Sequence, residues 1–359
     1  MARSGNRLGY LDWLRGLTVL VMIQAHTFDA WTRPDDKTRE LYGWLMVIGG
    51  MAAPAFLFMA GVAVSLAAAA HMRHGATAEE AARRVERRGW QIFLFAFLFR
   101  LQSYVLGGFS YAAGLLKVDI LNIMGPAIVV TASAGRLGGG RWRRAVLLTA
   151  GAAALALVTP AVRDSSVLGA LPDPVEWYFR PDPGKGTFTL FPWAAFVLAG
   201  GVLGVAIDGG RGLPPWRLQA LIALAGALLG GMAYWASWQP PMFPTARFWT
   251  TSPAFFALRV GILTCLVPLA WLWSVRPWPR LVVQSPLEVL GVGSLFVYWV
   301  HVELVYGGVG QPLRRMLTLE QGFVAWSLMC VTMYGLLLGW NRLWTGSQRG
   351  DEPVSISNK

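Results

Sequence analysis

Apolar stretches long enough to cross a membrane recur along almost the whole of this chain. A helix needs about 20 mainly apolar residues to span the hydrocarbon of a bilayer, and we count about ten such stretches. They lie at 10–28, 43–70, 88–108, 119–135, 144–162, 188–208, 216–236, 254–275, 285–306 and 321–343. The fourth is short, the fifth is rich in Gly and Ala, and no soluble domain fits between any two of them. The pattern predicts an all-α, polytopic integral membrane protein with about ten transmembrane helices.

The composition agrees with this class of protein and excludes a soluble domain. Of the 359 residues, 55% are hydrophobic and only 14% are charged, and the mean hydropathy is +0.47. A net charge of +12 would suggest nucleic-acid binding in a soluble protein. In a membrane protein it reflects basic cytoplasmic loops and attraction to anionic lipids. We therefore expect membrane lipids as partners and no nucleic acid.

The distribution of Lys and Arg predicts how the chain is oriented. Short cytoplasmic loops carry an excess of both residues, and with the N-terminus inside, most of them fall on the inner segments. The longest outer loop, 163–187, instead gathers acidic residues. We expect both termini in the cytoplasm, residues 1–345 as a single membrane domain, and 346–359 as a short cytoplasmic tail.

The first apolar stretch, LDWLRGLTVLVMIQAH, contains an arginine and a histidine. Arg15 and His26 are spaced so that a helix places them within roughly 20° of one face and about 16 Å apart along its axis. Ionisable groups are costly inside a bilayer and usually functional there. Asp29 follows His26 at i+3, where a carboxylate can orient or charge the imidazole, and Arg15 could instead pair with Asp12. His26 is thus the leading candidate for a general base, with Asp29 as its partner.

Further polar residues are predicted near the outer ends of other spans. These are Arg100, Asp119, Asn122, Arg259 and His301, and the ionisable ones reach about the same level as His26. Each also has a structural explanation. Arg100 and Asp119 could form an ion pair between neighbouring helices. Arg259 could extend to the outer interface, and His301 could be a hydrogen-bonded core histidine.

Local patterns predict two helix starts and two sites of close helix packing. Thr77 and Glu80 form a capping-box pattern at the start of a cationic helix, and Ser285 and Glu288 form another with proline at the first helical position. Glu288 is therefore excluded from the catalytic candidates. The glycines of LAGGVLG and GGMAAPAFLFMAG favour close contact between helices rather than phosphate binding.

Six segments in this order resemble the bacterial branch of the heparan-alpha-glucosaminide N-acetyltransferase family. They are LDWLRGL, GGMAAPAFLFMAGVAVSL, KVDILNIMG, FPWAAFVLAGGVLG, FFALRVG and LGVGSLFVYWVHVEL, and the resemblance runs over about 10–306. The spacing of Arg15 and His26 also resembles the acyltransferase-3 proteins, which acylate extracytoplasmic sugars with an arginine and a histidine of the first span. The eukaryotic glucosaminide enzyme has asparagine at the position of His26 and its histidine further on, so the acyltransferase-3 pattern fits better.

The resemblance implies a transmembrane acyltransferase domain in the inner membrane of a bacterium. It would take an acetyl group from acetyl-CoA, its co-substrate, and deliver it to a carbohydrate or glycolipid acceptor across the membrane. In these terms we assign His26, Asp29 and His301 to catalysis. We assign Arg15, Arg100 and Arg259 to the acyl donor, and Asp119, Asn122 and Trp193 to the acceptor. We expect no metal and leave a homodimer open.

The residues also leave a second class of function open. In a transporter or carrier, the intramembrane Arg, Asp and His side chains would bind a small anionic solute. The two classes predict different behaviour. A carrier moves its solute without an acyl donor, whereas the enzyme consumes acetyl-CoA only with its histidine intact.

Overall fold

The protein is almost entirely helical. Its structure, a computed structural model, describes residues 8–350 apart from 108, 110–111, 138–139, 183–185, 187 and 276–284, and contains no strand among them. The helices are α1 Gly9–Trp31, α2 Glu40–Gly49, α3 Ala52–Arg73, α4 Ala78–Leu106, α5 Ile120–Ser133, α6 Gly140–Arg163, α7 Asp173–Glu176, α8 Leu190–Gly209, α9 Pro215–Ser237, α10 Pro253–Val275, α11 Pro286–Val292, α12 Ser294–Tyr306 and α13 Leu319–Gly350. The all-α membrane class predicted from the sequence is confirmed.

Every predicted apolar stretch contains helix, but not every helix is long and apolar enough to be a span. Seven candidate spans meet both criteria among the described residues, or eight if α11 and α12, which are bent by 86°, count as one. Two of the ten predicted spans fall short. α1 carries several polar side chains that lower its hydropathy, and α5 has only 14 residues, a length of about 21 Å.

Exposed apolar side chains on these helices agree with contact with lipid. Leu94 of α4, Val146 of α6 and Leu328 of α13 are 58%, 62% and 62% exposed. A soluble protein rarely leaves apolar patches of this extent on its surface. The hydrocarbon of a bilayer provides the apolar surroundings that these helices need.

The chain divides into two compact units. The terminal unit comprises Met1–Gly49 and Trp278–Lys359, and the central unit comprises Gly50–Pro277. The single domain predicted over 1–345 stays a prediction. In the predicted tail, 346–350 continue α13, and 351–359 lie outside the described residues.

In the terminal unit, α1 is the central helix and packs against α2, α11, α12 and α13. Val19, Ile23 and Phe28 on it are fully buried. α1 and α11 cross in backbone contact, because a Cβ added to Gly16 would lie 1.9 Å from the Leu287 carbonyl oxygen. Glycine is the residue that permits this approach, and it fixes α11 against the arginine-bearing part of α1.

In the central unit, the most extensive packing joins α3 to α8 and α9 to α10. A Cβ on Gly61 of α3 would lie 1.9 Å from the Val197 carbonyl oxygen, and one on Gly200 of α8 would lie equally close to that of Phe58. The prediction that these glycines serve close helix packing is confirmed.

The two predicted helix starts have different outcomes. Thr77 and Glu80 form the predicted capping box at the start of α4. α11 begins at Pro286, as predicted, but the Ser285 side chain makes no capping hydrogen bond. The second capping box was therefore wrong, since the backbone geometry at Ser285 starts the helix without it.

Candidate active site

The polar strip of α1 faces α12. The Arg15 guanidinium donates to Ser294 Oγ at 3.0 Å, and His26 Nδ1 lies 2.9 Å from His301 Nε2. Further along, Trp31 Nε1 donates to the Val305 carbonyl oxygen at 3.1 Å. The contacts advance in the same direction on both helices, so α1 and α12 run alongside each other in the same sense. The helical spacing predicted for Arg15 and His26 thus places both against one neighbouring helix.

His26 and His301 form a pair of nearly coplanar rings. Their centroids are 5.1 Å apart and their planes differ by 7°. His301 is fully buried, whereas His26 is half-buried. The sequence predicted both residues as candidates but did not predict that they touch.

The hydrogen bonds assign the protons of this pair when both rings are neutral. His301 Nδ1 lies 2.6 Å from the Val297 carbonyl oxygen, which can only accept a hydrogen bond, so this nitrogen carries the proton. His301 Nε2 is then an acceptor, and His26 Nδ1 donates to it. The remaining nitrogen, His26 Nε2, holds a lone pair. It has no hydrogen-bond partner among the described residues, so it is the group of this pair that can accept a proton.

Asp29 does not orient the His26 ring by a direct hydrogen bond, contrary to expectation. Its carboxylate accepts from the Tyr306 hydroxyl at 3.3 Å and lies 3.7 Å from Lys37 Nζ. The Tyr306 ring meets the His26 ring edge-on, with centroids 5.5 Å apart. His301 therefore takes the orienting position expected of Asp29, which acts on His26 only through its charge and through Tyr306.

Arg15 has the alternative partner that the sequence suggested. Its guanidinium lies 3.6 Å from the Asp12 carboxylate, and its side chain is 32% exposed. The ion pair and the bond to Ser294 hold the guanidinium in one place without enclosing it. A role toward the acyl donor stays a prediction.

Arg100, Asp119 and Asn122 meet in the central unit. Asp119 caps α5 by accepting from the backbone amides of Leu121 and Asn122, and the Asn122 side chain accepts from the Asp119 amide. Arg100 lies 3.4 Å from the free carboxylate oxygen of Asp119. The structural explanation offered for Arg100 and Asp119, an ion pair, is the geometry found. Asp119 and Asn122 form a capping box, so local structure accounts for both.

Asn122 also reaches a residue that sequence reasoning missed. Its amide donates to the Tyr178 hydroxyl at 3.3 Å. Burial raises the pKa of Tyr178, so the hydroxyl keeps its proton at neutral pH and can donate onward. Tyr178 stands in the long loop before α8, where no sequence pattern singled it out.

Arg259 and Trp193 line one cavity of about 470 Å³ in the central unit. The Arg259 guanidinium carbon lies 3.9 Å from the centroid of the Phe255 ring. Arg163 and Asp182 line the same cavity and were also missed as candidates. They lie in the acidic loop 163–187, which the sequence predicts on the outer side, and charged residues in a loop are usually solvated.

The predicted site residues therefore occupy three places. Arg15, His26, Asp29 and His301 lie in the terminal unit, while Arg100, Asp119 and Asn122 form a cluster, and Arg259 and Trp193 a cavity, in the central unit. Their common depth in the membrane stays a prediction. Among the described residues there is no group of three or more His, Cys, Asp or Glu side chains placed to hold a metal ion.

Comparison with known proteins identifies the family. No curated protein matches the chain. The family model described as heparan-alpha-glucosaminide N-acetyltransferase, catalytic, matches residues 7–224. This range is more than half of the chain and includes Arg15 and His26, while His301 lies beyond it. The chain belongs to the heparan-alpha-glucosaminide N-acetyltransferase family, a family of membrane N-acetyltransferases.

Proposed function

We propose that the protein transfers the acetyl group of acetyl-CoA to an amino or hydroxyl group of an extracytoplasmic saccharide, with His26 as general base. The observation that carries the proposal is the chain of bonds from the Val297 carbonyl through His301 to His26. It leaves the lone pair on His26 Nε2, in a half-buried position. Membership of an acetyltransferase family supports the reaction type.

The transfer needs one proton carrier. His26 Nε2 takes the proton of the acceptor N–H or O–H as that atom bonds to the thioester carbonyl carbon. The C–S bond then breaks, and the CoA sulfur leaves with the electron pair and receives the proton from His26. The products are the acetylated acceptor and free CoA thiol, and His26 returns to its starting form.

His301 supports this cycle without touching the substrates. When His26 is protonated on both nitrogens, Nδ1 still donates to His301 Nε2, so the ring keeps its orientation throughout. The negative charge of Asp29 attracts the imidazolium that forms during the transfer. Tyr306, between them, holds the carboxylate near the ring.

The same lone pair supports a second route, in which His26 itself carries the acetyl group. Nε2 would attack the thioester, release CoA thiol and pass the acetyl group to the acceptor in a second step. This route predicts one equivalent of CoA released per protein before any acceptor is added. The direct route predicts no such burst.

Arg15 is the residue we propose for the donor phosphates. A guanidinium can hold a phosphate by two parallel hydrogen bonds, and one-third of this side chain is exposed. The accompanying expectations are unchanged: a bacterial inner membrane, both termini in the cytoplasm, lipids around the helices and a carbohydrate or glycolipid as acceptor.

The test uses the purified protein in liposomes, with acetyl-CoA labelled in the acetyl group outside and glucosamine inside as the acceptor probe. We expect labelled N-acetylglucosamine inside and CoA thiol outside. His26→Ala should lower the rate at least about 100-fold, the usual loss of a general base. His74→Ala removes an exposed histidine of the chain and is the matched control, expected to leave the rate unchanged.

Two results would contradict the proposal. Normal transfer by a folded His26→Ala protein would remove His26 from the reaction. Passage of a small anionic solute through the wild-type protein, with no CoA released under any condition, would favour the carrier.

A further inference from the structure

The cavity of the central unit has an aromatic wall. Trp193, Phe196, Trp249, Phe255 and Phe256 all line it. They pack on one another, with Phe196 and Phe256 centroids 4.7 Å apart and Trp249 and Phe255 centroids 5.1 Å apart. A volume of about 470 Å³ with a largely apolar wall and a few polar groups is typical of a small-molecule site.

Arg259 is a cationic residue of this wall whose guanidinium lacks a hydrogen-bond acceptor among the described residues. Its guanidinium stacks on Phe255, and its Nε is buried without a hydrogen-bond acceptor. None of the described residues accepts a hydrogen bond from it or pairs with it. A buried cationic donor that lacks an acceptor is costly, and an anionic group in the cavity would satisfy it.

Arg163 adds positive charge beside the cavity but is already engaged. It donates to the Phe191 carbonyl oxygen at 2.8 Å and to Thr189 Oγ1 at 2.9 Å. These bonds fix its position at the start of α8. Arg163 therefore adds to the positive potential of the cavity. The Arg259 guanidinium, in contrast, has no hydrogen-bond acceptor among the described residues.

The polar groups at the cavity wall also include acceptors. Asp182 lines the cavity and forms no ion pair with the described residues, and Thr250 and Ser252 line it as well. Such groups bind hydroxyl or amino substituents. A ligand with an acidic group alone would leave them unused.

We propose that this cavity binds a saccharide that carries an acidic group. The acid pairs with Arg259, ring hydroxyl or amino groups bind Asp182 and the neighbouring hydroxyls, and the C–H face of the sugar ring packs on Trp193. Aromatic rings present a negative face that favours this contact. The binding does not depend on the proposed acetyl transfer and is measured without acetyl-CoA.

Two other ligand classes fit the wall less well. The Asp182 carboxylate would repel the multiple charges of a nucleotide polyphosphate. A simple apolar acid would pair with Arg259 but would leave Asp182 facing hydrocarbon. Each class has its own probe in the test.

The test is isothermal titration of the full-length protein in lipid nanodiscs. The acidic sugars are glucuronate and glucose 6-phosphate, glucose is the neutral control, and hexanoate, inorganic phosphate and acetyl-CoA represent the competing classes. We expect at least one acidic sugar to bind at least about 10-fold more tightly than glucose, since a hydrogen bond to a charged group is the stronger one. Hexanoate and phosphate should bind no better than glucose.

Variants locate the binding. Arg259→Gln should remove the preference for the acidic sugar, and Arg259→Lys should keep part of it. Asp182→Asn should weaken acidic and neutral sugars alike and leave their ratio. Arg217→Gln is the matched control, because Arg217 also stacks on an aromatic ring, Trp216, but is exposed and does not line the cavity.

Several outcomes overturn the proposal. The first is equal binding of glucose and both acidic sugars, and the second is binding of hexanoate or phosphate that is as tight as that of the acidic sugar or tighter. The others are displacement of the acidic sugar by acetyl-CoA and an unchanged preference in Arg259→Gln. If Arg259→Gln does not fold, the Asp182→Asn ratio and the displacement experiment decide. His26→Ala should bind the sugar normally even when it transfers no acetyl group, so failure of one proposal is distinguishable from failure of the other.

Discussion

A histidine accepts a proton only through a ring nitrogen that holds a lone pair, and a backbone carbonyl decides which nitrogen that is here. Val297 fixes the proton of His301, and His301 fixes that of His26. The lone pair on His26 Nε2 therefore depends on the contact between α1 and α12, and not on His26 alone. Spacing along α1 could predict that Arg15 and His26 share a face, but no local pattern could predict this partner 275 positions away.

Replacement of His301 tests its role as a positioning residue. In His301→Gln the amide oxygen can still accept from His26 Nδ1, whereas in His301→Leu nothing can. We expect kcat to fall about 10- to 100-fold in the leucine variant, the range for lost orienting partners, with the KM for acetyl-CoA unchanged. The glutamine variant should recover most of the loss.

The contrast between the two variants carries the test. A purely structural role would lower the thermal midpoint of both without separating their kcat values. Equal rates in both folded variants would show that the bond to His26 is not needed.

Replacement of Arg15 by lysine tests its proposed contact with the donor. Lysine keeps the charge but loses the planar pair of donors, so we expect the KM for acetyl-CoA to rise about 10-fold with little change in kcat. Arg33→Lys is the matched control, since the exposed Arg33 also pairs with a buried aspartate three residues away, Asp36. A lower thermal midpoint with an unchanged KM would leave only the ion pair with Asp12.

At the scale of elements, the glycine crossing of α1 and α11 holds the start of α12 in place. A Cβ at Gly291 would lie 1.9 Å from the Asp12 carbonyl oxygen, and backbone cannot move aside as a side chain can. Gly291→Ala should therefore destabilise the protein by about 1–3 kcal/mol, as overpacking does, and lower acetyl transfer by shifting α12. Unfolding in detergent, followed by circular dichroism, measures the first effect.

The control for this substitution lies in α13. Gly339 has open space around its Cα, so Gly339→Ala should leave stability unchanged or raise it slightly. If both variants unfold at the wild-type midpoint, the crossing does not determine the position of α11.

The sequence predicted which stretches are helical better than it predicted their breaks. The stretches 43–70 and 285–306 each read as one apolar run, yet each holds two helices. Apolar character does not reveal an interruption at residues 50–51 or the 86° bend at Gly293. For the site, polar residues in apolar runs identified His26, His301 and Arg259. Tyr306, Tyr178 and Asp182 were missed, because their importance arises only from long-range contacts.

At the scale of the whole molecule, the orientation can be measured by labelling single cysteines. In a background without Cys265 and Cys330, we expect Thr38→Cys and Ser166→Cys to react with a membrane-impermeant maleimide in intact cells, and Gly212→Cys only after lysis. Positive-inside topology places the first two outside and the third inside. All three positions are exposed and lie among the residues that the structure describes.

The three positions separate different errors. Reversal of all three would place the acceptor side in the cytoplasm. Labelling of Ser166→Cys on the side opposite to Thr38→Cys would mean that an odd number of spans separates them, and α5, with its 14 residues, would be the helix that does not cross.

The C-terminal end of α1 is joined to the chain before α13 by main-chain hydrogen bonds. The amides of Arg315 and Leu317 donate to the carbonyl oxygens of Ala30 and Trp31, and the Arg33 amide donates to that of Leu317. Side-chain replacement leaves such bonds intact, so the protein can vary its composition at this edge without displacing the pair of His26 and His301. Proline is the exception, since it lacks the amide. Related sequences are thus free to exchange charge at 315 and 317 during evolution, provided that they avoid proline at both positions and a β-branched residue at 315, where φ is 58°.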